Sequence, residues 1–115
     1  MSYLEAEHVV VGLGAIGSAA CWALARAGAD VIGVEQFELG HARGASHDHS
    51  RIIRRSYHTP EYVELAGAAY DAWARVEADP AADVDEPLVV RTGGIDLFPP
   101  DAAISMDDYV AAMTA

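Results

Sequence analysis

The sequence contains no lysine and only one cysteine, Cys21. A single thiol permits no disulfide within the chain, which fits a reducing compartment and a cytoplasmic location. The seven basic residues are all arginine and stand against 18 acids, for a formal net charge of −11. That balance disfavours nucleic acid and anionic membrane as main partners. No long uninterrupted apolar run is present. The stretch from Val9 to Val34 is broken by Arg26 and Asp30, so it does not read as a membrane span. The start, Met1-Ser2-Tyr3-Leu4-Glu5-Ala6-Glu7, is acidic and lacks the basic region of a signal peptide. Internal repeats and low-complexity segments are also lacking. A length of 115 residues allows one small domain, short for a complete dinucleotide-dependent enzyme.

What is there begins at residue 9. Val-Val-Val-Gly-Leu-Gly-Ala-Ile-Gly contains Gly12-x-Gly14-x-x-Gly17, and Glu35 follows 18 residues after the last glycine. A β-branched run leads in, an alanine-rich stretch leads out, and the acid ends the next β-like run. This is the setting of a dinucleotide-binding fingerprint. Gly12 turns the chain out of the strand, Gly14 admits a pyrophosphate to the backbone, and Gly17 permits close helix–strand packing. The free N–H groups at the helix start face the phosphates, and Glu35 can accept from ribose hydroxyls. Without a ligand, the same pattern is a glycine-rich strand–helix turn.

The periodicity predicts an α/β fold. A buried strand over His8–Val11, covered on both faces, leads to a helix over Ala15–Ala27 with Gly28 as its C-cap. A second strand over Val31–Glu35 completes a Rossmann-like βαβ unit. Cys21 reads as a small core residue. Residues 37 to 51 lack any period and form a long loop carrying His41, His47 and His49, of a kind that tends to be functional. Arg51, Arg54 and Arg55 lie within five residues, while nine of the 18 acids lie between Glu77 and Asp108. A local basic cluster in an acidic chain suggests a small anion, or else a solvated basic turn. A helix is expected over Glu61–Asp79, with Thr59 as N-cap, Pro60 in the first turn, and Tyr70 and Trp73 in the core. Leu88–Arg91 and Ile95–Phe98 are expected to pair as a β-hairpin around Thr92-Gly93-Gly94. A last helix is expected from Ser105, its N-cap, to Ala115, with Asp107 and Asp108 in the first turn.

These residues together resemble a known family. The fingerprint, Glu35, the segment Ser46-His47-Asp48-His49-Ser50-Arg51-Ile52-Ile53-Arg54, then Tyr57, Glu61-Tyr62 and Thr92-Gly93-Gly94 are similar to the amino-terminal part of the flavin amine and amino-acid oxidases of the sarcosine oxidase and N-methyl-L-tryptophan oxidase type. The likeness runs from about residue 7 to the end. It implies FAD as cofactor, with contacts at Gly12, Gly14, Ala15, Ile16, Gly17, Glu35, His41, Ser46, Ser50 and Arg51. It further implies that Arg51 lies against the flavin ring, that His47 faces the active site, and that Arg54 holds a substrate carboxylate. The chemistry is consistent with those roles. A fixed guanidinium stabilises the negative charge a flavin gains on taking a hydride, and a planar fork suits a carboxylate. A histidine that titrates near neutrality can assist in keeping the amine neutral.

The resemblance also implies a larger whole. Residues 1–79 are then the first part of an FAD-binding domain, and 80–115 the truncated start of a substrate domain, an incomplete fold. The family's flavin-attachment cysteine and oxygen-activating lysine lie beyond the matching part, so Cys21 is not assigned the former role. The sequence departs from the family where a Gly-Asp pair usually precedes the Ser/Thr-Arg, because Asp48 and His49 stand there. The expected activity is oxidation of the C–N bond of a secondary amine or N-methyl amino acid, weak or absent in this chain by itself. Two other readings stand beside it. One is a non-catalytic nucleotide-binding module, or one subunit of a split enzyme completed by a second chain. The other is an NAD-dependent dehydrogenase, which the fingerprint and Glu35 suit equally and the segment from His47 to Arg54 argues against.

Overall fold

The structure is a computed structural model that describes residues 3–115. The chain forms two compact units, one running up to Arg51 and the other from Ile52 to Ala115. In the first, strand β1 (His8–Val11), helix α1 (Ala15–Arg26) and strand β2 (Val31–Val34) make the expected βαβ unit. The strands are parallel, with His8 opposite Val31 and Val11 opposite Val34. The ladder continues at both ends, where His8 N–H donates to Asp30 O at 3.0 Å and Gly12 N–H to Val34 O at 2.7 Å.

Small residues set the distance between helix and sheet. A Cβ on Gly33 of β2 would stand 2.8 Å from Leu13 Cδ2 and 3.1 Å from Cys21 Sγ. Cys21 therefore packs over β2, half-buried where a core residue was expected. Helix α1 ends in a Schellman motif one residue earlier than expected. Ala27 is the C-cap, Gly28 takes φ 83°, Gly28 N–H donates to Ala25 O and Ala29 N–H to Leu24 O, both at 3.0 Å.

One expectation for this unit fails. The sequence predicts a strand covered on both faces, yet Val9 is 59 % and Val11 83 % exposed. The apolar run is there, but among the described residues β1 has only β2 beside it and α1 packed against it, too few elements to cover two faces.

The second unit contains helix α2 (Pro60–Glu77) and helix α3 (Met106–Thr114), which pack on each other. Pro60 begins α2 as expected. Thr59 is its N-cap by position, but its side chain makes no capping bond. Val63 and Ala66, one turn apart, and Ala112 of α3 are buried. Tyr70 is half-buried and its hydroxyl donates to Ile53 O at 2.9 Å. Trp73 was expected in the core and is 44 % exposed instead: it lies on the same face as Val63 and Ala66, two turns beyond Ala66, where that face is no longer covered. Ser105 caps α3 in a full capping box. Its hydroxyl accepts from Asp108 N–H, and the Asp108 carboxylate accepts from Ser105 N–H, both at 3.3 Å.

The expected hairpin is absent. Residues 88–98 carry no strand, and among the described residues the only sheet is β1–β2. The alternation is real, but Val90 (71 %), Ile95 and Leu97 (both 87 %) are exposed. With neither face buried, nothing fixes a register, and an isolated two-stranded ribbon is marginal in water. Instead, Val89 N–H donates to Glu77 Oε1 at 2.9 Å, and Asp96 accepts from the Ser56 hydroxyl.

Candidate functional site

The turn between β1 and α1 is built for close approach. Gly12 sits at φ 89°, a conformation that L side chains rarely adopt. Gly14 is the N-cap of α1, and nothing but Ser46 lies within 4 Å of where its Cβ would be. A Cβ on Gly17 would stand 1.8 Å from Gly12 O. Helix and turn therefore touch backbone to backbone, the packing inferred for the third glycine of the fingerprint.

Two side chains from outside the turn complete it. The Ser46 hydroxyl accepts from Ala15 N–H at 2.9 Å, placing an oxygen ligand on the first N–H of the helix. A phosphate offers the same kind of oxygen, and the first-turn N–H groups of a helix have no intrahelical acceptor. The residues present thus fit a pyrophosphate: a Cβ-free approach at Gly14, a helix start with its dipole, and an N–H at Ala15 already engaged by oxygen. Ile16 is 88 % exposed beside it.

Glu35 follows β2 and reaches back to the turn. Its Oε2 accepts from Leu13 N–H at 2.8 Å, and its Oε1 accepts from Gln36 N–H at 2.7 Å and Phe37 N–H at 3.3 Å. His41 Nε2 stands 3.5 Å from the same Oε1. The Leu13 N–H holds the carboxyl below the ordinary carboxylate range; Gln36, Phe37 and His41 add to this, while partial burial opposes it. The acid is therefore ionised at neutral pH, and both of its oxygens act as acceptors.

The loop from 37 to 51 has its own framework, with Arg51 at its centre. The Arg51 guanidinium donates to Ala45 O at 2.8 Å, His47 O at 2.9 Å and Ser50 O at 3.2 Å, and pairs with Asp48 at 3.0 Å. The Asp48 of the family departure is thus the ion-pair partner of Arg51. His47 supplies a carbonyl to this framework, and its side chain is exposed, as is Ser50. The structure thus brings Gly12, Gly14, Ala15, Ile16, Gly17, Glu35, His41 and Ser46 into one neighbourhood, with Ser50 and Arg51 further along the same loop.

Arg54 belongs to the second unit, with its guanidinium 5.1 Å from the centre of the Tyr57 ring. It lines an open cleft of about 720 Å³, together with Arg55, Tyr70, Asp71, Arg91 and Asp96. Two features were not anticipated from the sequence. The Leu13 N–H is a backbone donor that no side-chain pattern announces. Arg91, 5.7 Å from the Tyr70 ring centre, comes from a segment that reads as a strand. Among the described residues no cluster of His, Cys, Asp and Glu is arranged to hold a metal, and no helix is long and apolar enough to cross a membrane.

Residues 7–114 match the family described as FAD dependent oxidoreductase. A monomeric sarcosine oxidase of Streptomyces avermitilis is 40 % identical over 97 residues, covering 84 % of this chain and 24 % of the relative. An N-methyl-L-tryptophan oxidase of Escherichia coli is 33 % identical over 101 residues, covering 87 % of this chain and 26 % of its own length. A peroxisomal sarcosine oxidase of Mus musculus is 38 % identical over 73 residues, covering 64 % of this chain and 19 % of the relative. The chain spans about a quarter or less of the length of these relatives.

Proposed function

The chain belongs to the FAD dependent oxidoreductase family, and on that premise we propose that it is the ADP-holding, amino-terminal part of an oxidase acting on the C–N bond of a secondary amine or N-methyl amino acid. The observation that carries this reading is the joint geometry of Gly14, Ala15 and Glu35: a Cβ-free approach to a helix start, with an ionised acid held against the same turn. Bound FAD supplies the hydride acceptor. Gly12, Gly14, Ala15, Ile16 and Gly17 receive its pyrophosphate, Glu35 the ribose, and His41, Ser46 and Ser50 line the same side. Arg51 stabilises the charge that builds on the flavin, His47 assists in keeping the amine neutral, and Arg54 pairs with the substrate carboxylate.

Residues 1–79 are assigned to the FAD-binding domain and 80–115 to the start of a substrate domain. The exposed faces of β1 and β2 are those that further sheet and helix, from the same or a second chain, cover in the finished enzyme. The three relatives are named as oxidases of sarcosine or N-methyl-L-tryptophan, both N-methylated amino acids, which supports that substrate class.

The test is a titration of the isotope-labelled chain with ADP, followed by amide chemical shifts. Shifts concentrated at residues 12–17, 35 and 46 are expected. Shifts confined to residues 52–115, or none at millimolar ADP, would contradict the assignment.

A further inference from the structure

Residues 44–51 read Gly-Ala-Ser-His-Asp-His-Ser-Arg, a run without a large apolar side chain, so polar contacts must hold this part of the loop. Arg51 supplies most of them. Its Nη2 donates to Ala45 O at 2.8 Å and to His47 O at 2.9 Å. Its Nη1 donates to Ser50 O at 3.2 Å and stands 3.0 Å from Asp48 Oδ2, an ion pair. Asp48 is fixed in turn, since its Oδ1 accepts from His49 N–H at 2.7 Å. The guanidinium is thus spent on the backbone of its own loop.

The two carbonyls that share Nη2 flank Ser46 in the chain. Arg51 therefore pins the backbone on either side of that one residue. The Ser46 hydroxyl accepts from Ala15 N–H at 2.9 Å and lies 3.1 Å from the place a Cβ on Gly14 would fill. These are the donor and the open approach that the nucleotide reading gives to a pyrophosphate. An N–H aimed at one oxygen at this distance does not serve a second equally well. Ser46 and a pyrophosphate therefore compete for the same place.

We propose that residues 44–51 form a latch that closes the pyrophosphate site from within. Ser46 occupies the site, Arg51 holds Ser46 there through the Ala45 and His47 carbonyls, and Asp48 holds Arg51. The inference rests on the nucleotide reading above and adds a coupling between the two ends of the cofactor site. Displacing Ser46 from Ala15 moves Ala45 and His47 and frees Arg51. When Arg51 turns toward a flavin, its grip on those carbonyls ends and Ser46 is released. Asp48, which stands where the family pattern has another residue, sets how firmly the latch is shut.

ADP is the probe, on the 115-residue chain. It carries the pyrophosphate and no flavin ring, so a response of Arg51 reaches that residue through the loop. Its affinity is compared in the wild type, Ser46→Ala, Asp48→Asn and the double variant. Ser46→Ala is expected to bind ADP about three- to tenfold more tightly, the worth of one neutral hydrogen bond. Asp48→Asn should gain about two- to threefold, the worth of an exposed ion pair, and nothing further in the Ser46→Ala chain. In the wild type, ADP should shift the Arg51 ¹³Cζ signal together with the Ala15 amide. A Ser46→Ala chain that binds ADP no better than the wild type overturns the proposal and leaves the nucleotide reading intact. So does an equal gain from Asp48→Asn in both backgrounds, which is plain charge repulsion, or an Arg51 signal that saturating ADP leaves unmoved. If Ser46→Ala does not fold, Ser46→Cys, whose sulfur is a far weaker acceptor, takes its place with the same expectation. Failure of the wild type and the Ser46 variant alike to bind ADP overturns the nucleotide reading itself, and this inference with it.

Discussion

Replacing Gly17 by alanine sets two opposed effects against each other, and their sizes decide the outcome. Gly17 is the third residue of α1, where alanine is the better helix former by about 1 kcal/mol. Propensity alone therefore predicts a more stable chain. The added Cβ, however, would lie 1.8 Å from Gly12 O, 3.0 Å from Gly12 C and 3.4 Å from Val10 Cγ1. The first two are backbone atoms that cannot rotate aside, so the turn must open by more than an ångström. The same turn is tied to β2 by Gly12 N–H donating to Val34 O at 2.7 Å, so opening it strains the strand pair. Overpacking of this kind costs about 1–3 kcal/mol and at times more, and contact with backbone puts Gly17 at the upper end. The net expectation is a loss of roughly 1–2 kcal/mol or above after the propensity gain. Urea unfolding of both chains by circular dichroism measures it.

Gly14→Ala is the control for that comparison. Its Cβ meets only Ser46 Oγ at 3.1 Å, the end of a side chain that can turn. Its cost is expected to be about 0.5–1 kcal/mol, from a poorer N-cap, while its ADP affinity falls more than tenfold as the methyl enters the phosphate approach. A Gly17→Ala chain as stable as the wild type would refute the packing argument. A Gly14→Ala chain that binds ADP normally would refute the cradle.

Three further outcomes follow from the same geometry. The Glu35 carboxyl is depressed in the folded chain, so its contribution to stability is present above the ordinary glutamate range and is lost as the pH falls through its lower folded value. Urea midpoints over an acid series should therefore fall less steeply in Glu35→Gln than in the wild type, and equal slopes would contradict the Leu13–Glu35 contact. Ser105→Ala removes the side-chain half of the capping box and should destabilise α3 by about 1 kcal/mol, read as faster amide exchange over residues 106–114. Tyr70→Phe removes the hydroxyl that donates to Ile53 O and should cost about 1 kcal/mol by urea unfolding; no change would show that water serves that carbonyl equally well.

How much of this was legible in the sequence differs from element to element. The βαβ unit was, because short-range signals agree there: a β-branched run, glycines at fixed offsets, an alanine-rich helix and a terminal acid. The N-cap at Ser105 was read correctly for the same reason, since its partner Asp108 lies within four residues. Residues 88–98 misled, because alternation signals a strand only when another surface buries one face, and Val90, Ile95 and Leu97 have none among the described residues. Trp73 misled in a similar way, since helical spacing identifies a stripe but not how far along the helix that stripe is covered. In the site, the glycines and Glu35 were readable from type and spacing. The donation by Leu13 N–H, the Nδ1 contact of His41 with Arg43 N–H and the carbonyls gathered by Arg51 were not. All three depend on where the backbone runs, and backbone N–H and C=O groups are the same in every residue.

The central claim is that the turn from Gly12 to Gly17, with Glu35, holds FAD. Equilibrium titration of FAD into the chain, followed by quenching of flavin fluorescence with NAD as competitor, tests it most directly. The account predicts one FAD per chain, loss of binding in Gly14→Val, and little displacement by NAD at equal concentration. Tighter binding of NAD than of FAD, or FAD binding that survives Gly14→Val, would contradict it.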